Sequence, residues 1–230
     1  MKFVIGIQTC ERFNFLEKCI SSLIKHNPQV KDFPFFVLDD ASTSPKVKKY
    51  LESLSFINNF VINEKRMGIS FSLKRLSELV IPHGDILLCI QADWYCSRKI
   101  DFNAIKQFFI ENKEVVHLRT IRNKGEINKP LTRHCGKKNG ATQKFTEEYD
   151  TFKVGSEVFT NGTWSYADVP NFTTMEAVKE LFKCFNKSSL SENCRMINIH
   201  NMCNDVCMLE SQPFWNLDPT GNRRTPGGRR

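Results

Sequence analysis

An apolar run that ends in two carboxylates is the feature that most limits what this chain folds into. Phe35-Phe36-Val37-Leu38 leads straight into Asp39-Asp40-Ala41-Ser42-Thr43, and further on Ile86-Leu87-Leu88-Cys89-Ile90 leads into Gln91-Ala92-Asp93-Trp94. Short apolar runs bounded by polar residues read as strands covered on both faces. Acids at the C-terminal ends of strands, in a chain that alternates strand and helix, fall in the crevice where open α/β sheets take ligands. Carboxylates gathered there suit hydrogen bonds to a nucleotide and coordination of a hard divalent cation.

The alternation runs through the first half. Residues 3–8 read as a strand, and Asn14 to His26 carries Phe15, Leu16, Cys19, Ile20, Leu23 and Ile24 at helical spacing, stopped by Pro28. Residues 34–39 are a second strand, and Pro45 to Leu54 a helix with Ser44 as its cap. Phe60 to Asn63 is a third strand, Ser70 to Ile81 a helix ended by Pro82 and Gly84, and Asp85 to Gln91 the most apolar strand. This order predicts a doubly wound, mostly parallel sheet. Beyond residue 100 the pattern loosens: a helix at Phe102 to Asn112, a strand at Val115 to Ile121, a strand pair within 152–160 and an amphipathic helix from Thr173 to Phe185. Residues 122–143 are polar, basic and glycine-containing without apolar period, which fits a mobile loop over the site or simple surface disorder.

Composition narrows the class. The chain has 230 residues, enough for one good-sized domain with a smaller lobe, and 19 phenylalanines to fill its core. No apolar run approaches the roughly 20 residues of a membrane-spanning helix, and Met1 to Ile7 is too short for a secretory signal. A cytoplasmic chain is expected. The nine cysteines are then reduced thiols; Cys194, His200, Cys203 and Cys207 have zinc-ligand chemistry but lack tight Cys-x-x-Cys pairs. Net charge is +8, half of it from Arg223, Arg224, Arg229 and Arg230 near the C-terminus. That excess suits a polyanionic partner or a diphosphate held by arginines.

The pieces together resemble the family 2 glycosyltransferases with the GT-A fold, most clearly over residues 3–100. Gln8-Thr9-Cys10-Glu11-Arg12 stands for the family's Pro-Thr-Tyr-Asn-Arg turn, and Asp39-Asp40-Ala41-Ser42-Thr43-Ser44 for Asp-Asp-x-Ser-x-Asp. Asn63 to Gly68 stands for Asn-x-x-x-x-Gly, and Gln91-Ala92-Asp93-Trp94 for the metal motif. The resemblance implies an α/β GT-A (Rossmann-like) fold: an open, mostly parallel twisted sheet flanked by helices, with a smaller acceptor-side C-terminal region. Residues 1–100 would be the nucleotide-sugar half, 101–212 the acceptor-side half, and 213–230 a basic tail.

The same resemblance implies a donor-nucleotide pocket of Thr9, Glu11, Arg12, Asp39, Asp40, Arg66, Gln91 and Asp93, in which Asp39 accepts the N3 hydrogen of a pyrimidine. For Asp40 and Ser42, helix capping and turn chemistry are equal alternatives. Asp93 is the implied ligand of Mn²⁺ or Mg²⁺, although Gln91 replaces the first acid of the commoner motif and Asn216 stands where a metal-binding His is often found. Among Lys65, Arg66, Lys74 and Arg75, near the expected diphosphate, at least two are expected on a solvated helix face. Glu192 is the implied general base, with Glu176 and Asp205 as runners-up, and Arg223 and Arg224 the implied diphosphate clamps. Trp164 and Tyr166 suit an acceptor subsite or the core equally.

The expected activity is transfer of a sugar from a nucleotide-diphosphate donor, a UDP-sugar, to an acceptor hydroxyl of a glycan, lipid-linked sugar, protein or DNA, metal-assisted and with inversion. Two other readings stand beside it. A nucleotidyltransferase would need glycine in the turn Gln8 to Phe13, which has none. A catalytically weakened module binding nucleic acid fits the basic charge and the two departures at Gln91 and Asn216.

Overall fold

The computed structural model describes residues 1–120, 151–160, 170–181, 207–209 and 213–217. Strand β1 (Phe3–Thr9) is buried along its whole length, because it lies between two parallel neighbours and under helices on both faces. Its partners are β2 (Phe35–Asp39) on one side and β4 (Ile86–Gln91) on the other; β3 (Asn59–Ile62) pairs with β2 at the edge. Between them run helices α1 (Phe13–His26), α2 (Pro45–Glu52) and α3 (Ile69–Val80). Ser44 Oγ accepts from Lys46 N at 3.4 Å and Pro45 fills the first turn of α2, as the sequence predicts.

The remaining described strands continue the sheet in the order β3-β2-β1-β4-β9-β6-β10-β8-β7. These are β6 (His117–Arg119), the hairpin β7 (Thr151–Val154) and β8 (Glu157–Thr160), β9 (Asn171–Thr174) and β10 (Cys207–Leu209). All run the same way except β9 and β8. A separate two-stranded piece joins β5 (Trp94–Cys96) to β11 (Phe214–Asn216). Helix α4 (Phe102–Glu111) follows β5, and α5 (Met175–Leu181) follows β9.

One boundary differs from the sequence expectation. The helix expected from Thr173 begins at Met175, because Asn171 to Thr174 form β9, wedged antiparallel between β4 and β6. The β-branched threonines and Phe172 fill that gap in the sheet, and sheet pairing there overrides the helical period.

Alternation along the central strands divides the core. Phe3, Ile5 and Ile7 face α1, α2 and α4 with Leu16, Leu23, Val47, Ile105 and Phe108, while Val4, Phe36, Leu38 and Leu87 face α3 and α5 with Leu76, Val80 and Val178. Phe3, Phe102 and Phe172 meet edge to face at 5.1–6.0 Å between ring centres. Each such side chain contributes about 1.5–3 kcal/mol on burial. No helix among the described residues is long and apolar enough to cross a membrane.

Candidate functional site

Strand order places the site. From β1 the chain winds to β2 and β3 on one side, then returns to lay β4 on the other, so the order reverses between β1 and β4. Ligands of open α/β sheets bind outside the carboxyl ends at such a reversal. In register, Thr9 pairs with Asp39 on one face and Gln8 with Gln91 on the other, so the three strands end level along one edge of the sheet. Asp40 N donates to Thr9 O and Ala92 N to Gln8 O, both at 2.9 Å, carrying the pairing into the loops. Asp39, at the end of β2, and Asp93, in the turn just after β4, therefore stand on the same edge, beyond strands two spacings or roughly 10 Å apart.

The two neighbouring acids do different work. Asp39 is fully buried; Ser42 N donates to its Oδ1 and Ser42 Oγ to its Oδ2, each at 2.6 Å. Burial pushes its carboxyl up, the Ser42 bonds pull it down, and the balance stays above the ordinary value. Asp40 anchors the next loop. Its Oδ1 accepts from Met67 N at 2.8 Å and Asn63 Nδ2 at 2.9 Å, and its Oδ2 from Gly68 N at 2.8 Å. Burial raises this carboxyl too, but the bonds from Met67, Asn63 and Gly68 hold it below the usual range. Gly68, with φ +84, opens α3, and Arg75 Nη1 donates to Asn63 Oδ1 at 2.6 Å. The turn chemistry weighed for Asp40 and Ser42 is present in both residues.

Two non-glycine residues in the left-handed region sit in these loops, Glu11 at φ 54 and Ala41 at φ 60. Such positions cost on the order of 1–3 kcal/mol each and persist where surroundings over-determine them. A clasp between the loops does so here. Glu11 N donates to Ser42 Oγ at 2.6 Å, and the Glu11 carboxylate accepts from Thr43 N at 3.0 Å and Thr43 Oγ1 at 3.2 Å.

Two guanidiniums flank the turn after β1. Arg12 begins α1 without a capping side-chain bond; its Nη1 lies 3.5 Å from Asp93 Oδ2 and its head sits over the Phe15 ring at 5.4 Å. Arg66 donates to Cys10 Sγ from Nη2 at 2.8 Å and Nε at 3.3 Å. The Cys10 thiol donates onward to Asp40 O at 3.2 Å, and burial pushes it up, so it keeps its proton. Gln8 Oε1 and Thr9 Oγ1, at the end of β1, are buried with no hydrogen-bond partner among the described residues.

The structure thus brings Thr9, Glu11, Arg12, Asp39, Asp40, Arg66, Gln91 and Asp93 to one edge of the sheet. Lys74 pairs with Glu78 and Arg75 with Asn63, both lining a cleft of about 440 Å³ beside β3 with Lys65, Met67 and Phe71. Asn216 pairs with Trp94 through the backbone, and Leu217 N donates to Asp93 O at 2.6 Å. Glu176, a runner-up base, opens α5 beside Asp85, whose carbonyl accepts from Met175 N at 2.7 Å. That is the opposite edge of the sheet from Asp93. Glu192, Asp205, Arg223, Arg224, the 122–143 segment, Trp164, Tyr166 and Cys194, His200 and Cys203 lie outside the described residues.

Sequence reasoning missed Cys10 as an acceptor for a guanidinium and Asn63 as the link between Asp40 and Arg75. Neither has a local signal, since both contacts join residues brought together by the crossovers. For Mn²⁺ or Mg²⁺ the described donors are few. Gln91 is an amide, Asp93 faces a guanidinium, and no group of three His, Cys, Asp or Glu able to hold a metal ion occurs among the described residues. Among the described residues, one carboxylate with an oxygen so engaged does not by itself make a site for a resident cation.

No protein-family model matches the chain, and no curated protein matches it. Solved structures do. Residues 1–349 of TarS from S. aureus superpose with a TM-score of 0.61 at 15% identity, covering 95% of this chain and 61% of that one. The same fragment in complex with UDP-GlcNAc matches with a TM-score of 0.59 at 14% identity, covering 93% and 57%. The longer TarS structure gives 0.58 at 15% identity, covering 93% and 36%. The chain spans about three-fifths of the TarS fragment it matches. TarS is a GT-A family 2 glycosyltransferase, and the fold of this chain is GT-A.

Proposed function

We propose that this chain transfers a sugar from a nucleotide-diphosphate sugar to an acceptor hydroxyl. The observation that carries the reading is the convergence of Asp39 and Asp93 on one edge at the reversal of strand order, in a GT-A sheet. A UDP-sugar is the donor this reading favours, in keeping with TarS structures bound to UDP-GlcNAc and UDP. The 1–100 half takes the donor, the 101–212 half the acceptor, and the 213–230 tail closes on the diphosphate through Arg223 and Arg224.

The base enters between the β1, β2 and β3 loops. Ser42 Oγ is the exchangeable partner of Asp39: its hydroxyl rotates away, Oδ2 accepts the uracil N3 hydrogen, and Ser42 N keeps Oδ1 in place. Thr9 Oγ1, buried and free among the described residues, is available to the nucleoside, as is the Glu11 backbone turn. In the transfer, the acceptor oxygen bonds to the anomeric carbon from the face opposite the diphosphate. The carbon–oxygen bond to the diphosphate breaks, its electron pair leaves with the nucleoside diphosphate, and Glu192 takes the acceptor proton. The configuration inverts. A Mn²⁺ or Mg²⁺ ion on Asp93, the sequence expectation, would have to share that carboxylate with Arg12. The acceptor hydroxyl belongs to a glycan, a lipid-linked sugar, a protein or DNA, and the enzyme works in the cytoplasm.

Isothermal titration with UDP tests the pocket. Wild type binds, and Asp39→Ala weakens binding tenfold or more by removing a charged acceptor worth about 1.5–3 kcal/mol. Glu192→Gln keeps UDP binding and lowers turnover about 10²–10⁴-fold. Absence of UDP binding by wild type, or unchanged binding by Asp39→Ala, refutes the assignment.

A further inference from the structure

We infer that Arg12 and Arg66, one on each side of the turn after β1, supply the positive charge that a bound diphosphate needs, so that donor binding does not depend on a divalent cation. The inference rests on reading this cleft as a nucleotide-sugar site.

Three observations carry it. First, Asp93, the one acid left in the metal motif, has its Oδ2 faced by Arg12 Nη1 at 3.5 Å, with only 24% and 20% of the two side chains exposed. Arginine does not give up its proton in proteins, so the cation beside Asp93 is permanent. An incoming divalent ion meets a like charge at the one carboxylate of the metal motif. The Phe15 ring under the guanidinium holds it in place.

Second, Arg66 is held without being neutralised. Among the described residues its side chain donates to the Cys10 thiol, a neutral acceptor, from Nη2 at 2.8 Å and Nε at 3.3 Å. Of the two acids that act on it through space, Asp40 spends both oxygens on Asn63, Met67 and Gly68, and Glu11 spends both on Thr43. A thiol positions the guanidinium and leaves its charge for a ligand.

Third, the donor set among the described residues suits an anion better than a metal. Gln91 offers an amide, and no group of three metal-ligating side chains occurs among the described residues. Two guanidiniums carry the same two charges as Mn²⁺ or Mg²⁺. Their planar N–H forks match phosphate oxygens, and donors already in place where negative charge builds on a leaving group lower the barrier without reorganisation. Asp93 becomes a positioning residue that orients Arg12.

Titrating UDP, with GDP as a second probe, into wild type in EDTA and again in excess Mn²⁺ separates the possibilities. The expected result is UDP or GDP binding in EDTA, with Mn²⁺ changing the dissociation constant less than about fivefold. Arg12→Gln and Arg66→Gln each weaken UDP at least about tenfold in EDTA while uridine binds as in wild type. Arg12→Lys, which keeps the charge, recovers most of that loss. Arg66 is exposed and its variant folds, so the test survives a misfolded Arg12→Gln. Tightening of about fivefold or more by Mn²⁺, or equal losses in Arg12→Gln and Arg12→Lys, overturns the inference and leaves the donor site standing. No binding of either nucleotide in either buffer overturns the donor site, and the inference with it.

Discussion

Replacing Asp40 with Asn removes one negative charge and one acceptor from the bond network between β2 and α3. Asp40 Oδ1 takes two donors, Met67 N and Asn63 Nδ2, and Oδ2 takes Gly68 N. Asparagine has one oxygen, so its amide nitrogen must face a donor. With that nitrogen toward Gly68, one backbone N–H is left unsatisfied in a residue environment only 3% exposed, at about 1–3 kcal/mol. The two surviving bonds lose their charge assistance at about 0.5–1 kcal/mol each. The expected loss is about 3 kcal/mol at pH 7, a shift of about 1 M in the midpoint of urea unfolding followed by circular dichroism.

Acid adds a second, independent readout. The Asp40 carboxyl is held below its ordinary 3.8 in the folded protein, so its contribution is complete above the unfolded value and is lost as pH falls through the folded one. Once protonated, Asp40 resembles its amide. The gap between wild type and Asp40→Asn therefore closes as pH falls through the folded value, below the ordinary 3.8. A gap under 1 kcal/mol at pH 7, or one that persists unchanged in acid, refutes the anchoring role. UDP affinity should fall in the same variant, since the anchored loop carries Arg66.

Other outcomes are as definite. A Cβ on Gly84 would lie 2.5 Å from Val4 Cγ2 and 2.8 Å from the Lys2 carbonyl, so Gly84→Ala should cost about 1–3 kcal/mol, read as a lowered melting temperature. Phe172, fully buried between Phe3 and Phe102, should cost about 3–5 kcal/mol as Phe172→Ala in the same assay. Burial, with Arg119 adding to it, pushes the His117 imidazole down to about 3 from 6.5. The folded state excludes the proton that the unfolded chain accepts, so stability is complete above about pH 6.5 and falls by up to about 1.4 kcal/mol per unit below it. Unfolding midpoints of His117→Gln at pH 7, 6 and 5 should decline less steeply than those of wild type.

Much of the first half is legible locally. Leu16, Cys19, Ile20 and Leu23 mark the buried side of α1 by spacing alone, and Ser44 with Pro45 marks the start of α2, because capping and helical periodicity involve neighbours in the chain. The acids at the ends of β2 and β4 are legible for the same reason, and the preference for parallel crossovers puts them on one edge. The partner of each acid is not legible. Ser42 at Asp39 is a local turn, but Gly68 at Asp40, Arg12 at Asp93 and Arg66 at Cys10 join segments whose distance in the chain carries no trace of the contact.

The chain by its own periodicity determined a doubly wound, mostly parallel sheet and the edge on which its carboxylates emerge, since burial repeats along each element. Tertiary structure alone decided that 171–174 joins the sheet, that β11 returns to β5, and that a guanidinium rather than open space stands beside Asp93. Those outcomes depend on which strand lies next to which, and side-chain charges meet only after the crossovers have set that order.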